Sequence, residues 1–372
     1  MIKGKIIAGI AVLAISLTNA YGAPFSITNV RCAGTGGATE NTACTSALSS
    51  IRTEFDKLAT QVNSELPDVD GKRYASGMAN SVLLTTKGLT VDYASNISIF
   101  AVGGGLGLGF DPGDKGISNA FDKPAAISGI GAQVSGMLGL NLGLLPFIPA
   151  FGPIDLKKGI LFVNFMSMDM PGVVDELSGS FTNIGVNIRY KAFEGMDLFF
   201  GLVGWSGVDV TTGINYSKMK VQVKAPITQT VTQTNVGGSG QNLTGTFKGD
   251  AVLGPEVGIT SIPIEVSSAV TALYLLKLYA GLGADITVGS ADMVANLQNQ
   301  SLTGKIGTGG TAETVNADVN LDLGGSSGPD FFAMRAFLGM HLDFKVLNIF
   351  VQANHSFTTG AYGVTTGARV YF

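Results

Sequence analysis

The chain has 372 residues, a charged fraction of 13% and a formal net charge of -4 at pH 7. That charged fraction is about half of the roughly 25% usual in soluble domains, so the chain can bury a core but cannot coat an ordinary water-facing surface. A weakly acidic balance also excludes a nucleic-acid binder, which needs basic patches. Glycine, at 52 residues, adds a second bias.

Residues 1–22 read as an export signal. Lys3 and Lys5 precede an apolar run from Ile6 to Leu17, and Ala20-Tyr21-Gly22 before Ala23 suits a signal-peptidase cut, with Thr18-Asn19-Ala20 as a second option. The run of about 12 residues is too short for a membrane-spanning helix, which needs about 20. Cys32 and Cys44 follow in "RCAGTGGATENTAC". In an oxidising periplasm they form a disulfide closing a short loop, or else remain two buried thiols.

Residues 23–75 do not alternate. In "SALSSIRTEFDKLATQVNSELP", Leu48, Ile51, Phe55, Leu58, Val62 and Leu66 recur at spacings of three and four, the pattern of an amphipathic helix stopped by Pro67. Its apolar stripe needs a partner: the inside of a barrel, as a plug; the periplasmic mouth; or another protein. An interior of about ten strands is narrow and is filled by side chains or a plug.

Residues 76–372 carry the alternation of outer-membrane strands, with apolar residues toward lipid and polar or small ones toward the lumen. Ile184, Val186, Ile188 and Tyr190 oppose Asn183, Gly185, Asn187, Arg189 and Lys191. From Leu276 to Val288 the even-numbered residues are apolar, opposing Lys277, Tyr279 and Asp285. Met334, Leu338 and Met340 oppose Arg335, Phe337 and His341; Ile349 and Val351 oppose Phe350 and Gln352; Val364, Val370 and Phe372 oppose Arg369 and Tyr371. A soluble sandwich would charge its outer face, so the apolar stripe here meets lipid.

Weaker strands read at 97–110, 128–145, 157–170, 198–224 and 245–263, giving about ten, with two more at 80–95. In "NISIFAVGGGLGLGF" the apolar parity changes at Gly103-Gly104-Gly105, which suggests a β-bulge. "GGGLGLG" is not a phosphate loop, because no helix pattern follows it. "YKAFEGMD" and "DFKVLN" read as periplasmic turns, 111–127, 170–178, 225–245 and 290–328 as outer loops, and Pro255 as a strand break.

Enzymatic chemistry finds little footing. His341 beside Asp343 suggests a base and its orienter, or a hydrogen-bonded lumen pair, and no metal-ligand spacing accompanies either histidine. No cofactor is expected. Lumen-parity aromatic and apolar residues are Phe100, Val102, Leu161, Val163, Phe165, Tyr279, Phe337 and Phe350. They either pack a filled barrel or line a path for hydrophobic molecules. Arg189, Arg335 and Arg369 either hold an anionic head group or pair with Asp285 and Asp343.

The helical segment before the barrel, the apolar lumen parity, strands such as "LYLLKLYAGLGADI" and the terminal aromatic resemble the FadL-like family of outer-membrane transporters. The resemblance implies a transmembrane antiparallel β-barrel of about 10–14 strands, all-β apart from an N-terminal helical plug, that passes fatty-acid-like compounds through the outer membrane. The shorter chain and the missing Asn-Pro-Ala motif depart from that family. A general porin, or a non-transporting barrel that displays outer loops, are the other readings. "ARVYF" resembles the C-terminal signal read by the barrel-assembly machinery, with Phe372 its last residue. Expected partners are that machinery, membrane lipid and a hydrophobic small-molecule ligand.

Overall fold

A computed structural model describes residues 71–113, 128–145, 155–174, 177–198, 202–233, 243–306, 313–315 and 326–372. The expected signal peptide, Cys32, Cys44 and the helix ending at Pro67 lie outside them. Helix α1 (Gly71–Thr85) comes first. The strands are β1 (Phe100–Asp111), β2 (Gly129–Asn141), β3 (Gly159–Val174), β4 (Leu177–Leu198), β5 (Val203–Gln233), β6 (Leu243–Ala272), β7 (Leu276–Ile306), β8 (Glu313–Val315), β9 (Ser326–Ser327), β10 (Phe332–Phe344), β11 (Leu347–Ser356) and β12 (Tyr362–Tyr371).

All pairings are antiparallel. β1 pairs with both β2 and β12, and β10 pairs with both β11 and β7, so β1–β7 and β10–β12 close a ring of ten. The short β8 and β9 attach to the far part of β7. Among the described residues each of the ten ring strands has a neighbour on both sides, which a wall in hydrocarbon requires. Among the described residues no helix is long and apolar enough to cross a membrane.

Alternation sets the two faces of the wall. On β10, Met334, Leu338 and Met340 are exposed outward, while Arg335, Phe337 and His341 are buried inward. The same division holds on β6, with Ile262, Ile264 and Val266 outside and Ser261, Glu265 and Ser267 inside. An apolar outer belt around a polar interior is the arrangement of an outer-membrane barrel. The belt ends upward on β5 and β6, where Lys218 pairs with Glu256 at 2.7 Å and Lys224 with Asp250 at 3.0 Å.

The two mouths differ. At one, β10 and β11 are joined by Lys345 and Val346 alone, with Lys345 at φ 67°, and β6 and β7 by residues 273–275. Toward the other, β5, β6 and β7 run 31, 30 and 31 residues. At about 3.4 Å per residue such strands reach about 100 Å, although a span needs only about 9–11 residues. Short turns face the periplasm and long hairpins the exterior, so the second mouth is the outer one.

Several expectations change. Residues 80–95 are not strands: 80–85 belong to α1 and the following stretch runs through the lumen, so the wall begins at Phe100 and position 75 falls within the helix. β1 has no bulge, since its register is unbroken from Ala101↔Tyr371 to Phe110↔Tyr362. Its facing is therefore uniform: Val102, Leu106 and Leu108 point outward and Ala101 inward. Val163 and Phe165 also face outward, with Phe162 and Asn164 inside. "YKAFEGMD" is the end of β4, and the shift between Lys191 and Phe193 lets it continue to Leu198. Pro255 does not break β6, where it sits opposite Met293. The stretches 225–233 and 290–306, read as loops, are strand.

Candidate functional site: the plugged lumen

The lumen is occupied by α1 and the segment after it. What seats the helix is the inward face of β1, where Gly103, Gly105, Gly107 and Gly109 alternate with outward residues. A side chain there would strike the helix. A Cβ on Gly107 would lie 2.6 Å from the Thr85 carbonyl carbon, one on Gly109 2.7 Å from that of Ser81, and one on Gly131 of β2 2.9 Å from Val82 N. The "GGGLGLG" stretch is thus a groove for a backbone, close approach being a known use of glycine in strands. Above it, Tyr74, Met78, Val82 and Leu83 pack on Phe181, Met219, Val257 and Ile259.

Below the helix the segment is fastened by polar bonds. Lys87 Nζ lies 2.5 Å from Asp285 Oδ1, and Arg335 Nε donates to the other Asp285 oxygen at 2.8 Å. Arg335 also pairs with Glu265, whose second oxygen accepts the Tyr93 hydroxyl at 2.7 Å. Asp92 caps its own turn by accepting from Ala94 N at 2.9 Å and Ser95 N at 3.0 Å, and it accepts from Tyr371 Oη at 2.5 Å. Arg369 donates to the Gly88 and Val91 carbonyls at 2.6 and 3.0 Å, and Arg189 donates to the Asp92 carbonyl and, at 2.5 Å, to that of Ser95. Charges this deeply buried are tolerable because each meets a counter-charge or a carbonyl. Burial works to raise the Asp92 carboxyl, but Arg369, His341 and Arg189 around it prevail and hold it well below the usual carboxylate range.

Arg189, Arg335, Arg369, Tyr279, Phe337 and Phe350 face inward, whereas Val102, Val163 and Phe165, expected in the lumen, face outward, and Phe100 and Leu161 share their parity; all three arginines are spent on the plug or on wall carboxylates. Arg335 takes Asp285 and Glu265; Arg189 and Arg369 lie 3.9 and 3.8 Å from Asp92. Asp343, expected to orient His341 or pair an arginine, instead binds Lys277 at 2.6 Å. The acid facing His341 is Asp92, 3.8 Å from its Nδ1. Tyr279 and Phe337 pack against Tyr93, with centroids at 5.7 and 4.8 Å, and Phe350 lies under the Arg369 guanidinium at 3.8 Å. Phe372 stacks on Phe100 at 4.4 Å and accepts from Ile99 N, which fixes the last residue to the seam of the ring. Sequence reasoning missed Lys87, Asp92, Tyr93 and Glu265. A lone acid inside the apolar "LTVDYA" and the strict Gly alternation at 103–109 were the available signals.

A cleft flanks each end of the plug. The periplasmic one, about 450 Å³, is lined by Lys157, Lys158, Arg189, Lys191, Trp205 and Ile97 among others. The outer one, about 480 Å³, is lined by Asn80, Asp111, Asp330, His355 and Tyr362 among others. Lys158 and Glu194 pair at 2.8 Å on the periplasmic rim.

A closed ten-stranded antiparallel wall, apolar outside and filled by a polar-bonded segment of the same chain, defines a plugged outer-membrane β-barrel. The sequence profile of the Lsa36-like family matches residues 29–372, and the chain belongs to that family. No curated protein matches. Solved structures with some likeness include the translocator domain of the autotransporter NalP from Neisseria meningitidis (11% identity, 78% of this chain and 93% of that one, TM-score 0.29). Two others are the transport unit of the autotransporter AIDA-I from Escherichia coli (8%, 81% and 99%, TM-score 0.34) and the Ralstonia pickettii toluene transporter TbuX (5%, 80% and 93%, TM-score 0.22). At such scores these likenesses carry no argument about function.

Proposed function

We propose that the protein is an outer-membrane channel held shut by its own N-terminal segment, which passes small amphipathic or hydrophobic molecules when that segment moves. The observation that carries this reading is the occupant of the lumen. An α-helix with its side chains is about 10–12 Å across, so the wall encloses a space of small-molecule width, and the chain's own plug fills it. The plug separates two clefts, of about 450 and 480 Å³, at opposite mouths. Between them lie two apolar clusters, one around Met219 and Ile259 and the other around Phe162, Tyr279 and Phe337, with arginines nearby. Apolar walls with interspersed cations suit a fatty-acid-like ligand better than a sugar, because a carboxylate can replace Asp92 or a plug carbonyl as an arginine partner.

Liposome uptake tests the reading. Full-length protein unlatched by Lys87→Met with Asp92→Asn should admit a labelled fatty acid faster than wild type does, and faster than a sugar. Equal rates for both solutes would leave a general porin. No flux from folded, unlatched protein would sink the channel. It would leave a barrel that displays its outer hairpins, the reading that the 30- and 31-residue strands β5–β7 favour.

A further inference from the structure

Where the apolar belt gives way to charge, β5, β6 and β7 form a shallow dish on the outside of the wall. Their registers align outward-facing residues in rows. Tyr216, Thr260 and Val288 make the lowest, Lys218, Gly258 and Ser290 the next, and Lys220, Glu256 and Asp292 the top. Ile214 and Ile262, exposed on the same face, belong to the belt beneath. The cleft they frame measures about 450 Å³. It lies toward the outer mouth, with a tyrosine at its lower edge, which is the height of the lipid headgroups.

The centre of the dish is Gly258. The glycines of β1 are small because the plug's backbone rests on them, but a Cβ on Gly258 would meet nothing nearer than Tyr216 Oη at 3.7 Å. Glycine weakens a strand and marks places where another backbone or a ligand comes close. Among the described residues no backbone crosses this one, and the face is turned to lipid. The charges around it are unequally matched. Glu256 lies 2.7 Å from the Lys218 ammonium but 3.7 Å from that of Lys220, beyond hydrogen-bond distance, so Lys220 keeps its donors for another acceptor. On the β4 side the lysines are opposed only by Thr182 and Ser180, too short to cover them. Asp292 accepts from Ser290 Oγ at 3.3 Å and has further acceptor capacity.

We propose that this dish holds one phosphorylated glycolipid of the outer leaflet. Its phosphate lies between Lys218 and Lys220, and a sugar ring rests on Gly258 beside Tyr216 with hydroxyls donating to Glu256 and Asp292. Its acyl chains run down over Val288, Ile262 and Ile214. A lysine ammonium binds phosphate as a point charge, and cationic pockets at a membrane surface select anionic headgroups. The site is independent of the channel reading, since it lies outside the wall and is complete whether or not the plug moves.

Native mass spectrometry of the full-length protein in detergent, incubated with diphosphoryl lipid A, tests this. Wild type should retain one lipid. Gly258→Leu fills the dish and keeps both lysines, whereas Lys218→Gln with Lys220→Gln keeps the dish and removes the cations. Either change should lower the bound fraction at sub-saturating lipid about ten-fold, as expected for a lost hydrogen bond to a charged group. Fully dephosphorylated lipid A should bind wild type as weakly as the diphosphoryl form binds the variants. No retention by wild type, or equal retention by either variant with heat-modifiable mobility intact, would overturn the proposal. Should a variant fail to fold, the two lipids on wild type decide: equal retention of both refutes it.

Discussion

Alanine at Gly107 and Gly109 should open the barrel without weakening its wall. The new Cβ atoms would lie 2.6 Å from the Thr85 carbonyl carbon and 2.7 Å from that of Ser81. Carbon atoms in contact sit about 3.5–4.0 Å apart, so the helix has to retreat by about 1 Å. It cannot do so freely, because its other side is packed on Met219, Val257 and Ile259. Overpacking of this kind costs about 1–3 kcal/mol per site, so the pair should destabilise the seated plug by about 2–6 kcal/mol. The strand itself gains, since Gly→Ala within a strand stabilises by about 0.5–1 kcal/mol. At about 1.4 kcal/mol per decade, the released population rises by about 30-fold or more. Planar-bilayer recording reads this as an increase in the open fraction, with heat-modifiable gel mobility confirming a folded barrel. Gly104→Ala, on the outward face of the same strand with its nearest neighbour Ser135 O at 3.3 Å, should change nothing. A folded double variant as silent as the wild type would show that the glycine groove does not seat the plug.

Lys87→Met leaves Asp285 with Arg335 as its remaining cation, and loss of one buried charged hydrogen bond should cost about 2 kcal/mol, read as earlier proteolysis of the plug in a urea series while the wall stays intact. Closure should not respond to pH between 8 and 5. The Asp92 carboxyl is depressed in the folded state, so its contribution is complete above the ordinary carboxylate value of about 3.9 and is lost only as pH falls below it. Conductance rising between pH 7 and 5 would contradict this, and Asp92→Asn should remove the acid response. Phe372→Ser removes the stacking on Phe100 and the terminal aromatic, and should lower the amount of heat-modifiable protein in outer-membrane fractions several-fold; unchanged levels would refute its role in assembly.

How much of this was legible in the sequence depended on whether a residue's job shows in its neighbours. On β4, β7, β10, β11 and β12 the facing of every tested residue follows from alternation, because those stretches keep one register through the membrane. β1 misled for a physical reason: glycine carries no hydropathy signal, so a face of Gly103, Gly105, Gly107 and Gly109 reads as a gap, and the apolar parity appears to slip. "YKAFEGMD" misled because charges at the membrane edge look like a turn even while the ladder continues beyond them. The latch was invisible because its pairings are long-range: Lys87 with Asp285 spans 198 residues and Tyr371 with Asp92 spans 279. No local pattern announces which acid will meet His341.

The same groove ties the completion of the barrel to its contents. β1 pairs with β12 to close the ring, and these two strands also carry the plug's seat and much of its latch: the glycines on one side, Thr365, Arg369 and Tyr371 on the other. An empty ring would bring Arg369 into the lumen without the Gly88 and Val91 carbonyls it needs. In the finished fold, therefore, the strand that closes the ring and the segment that fills it share one set of contacts, so anything that shifts the plug is felt first at the β1–β12 seam.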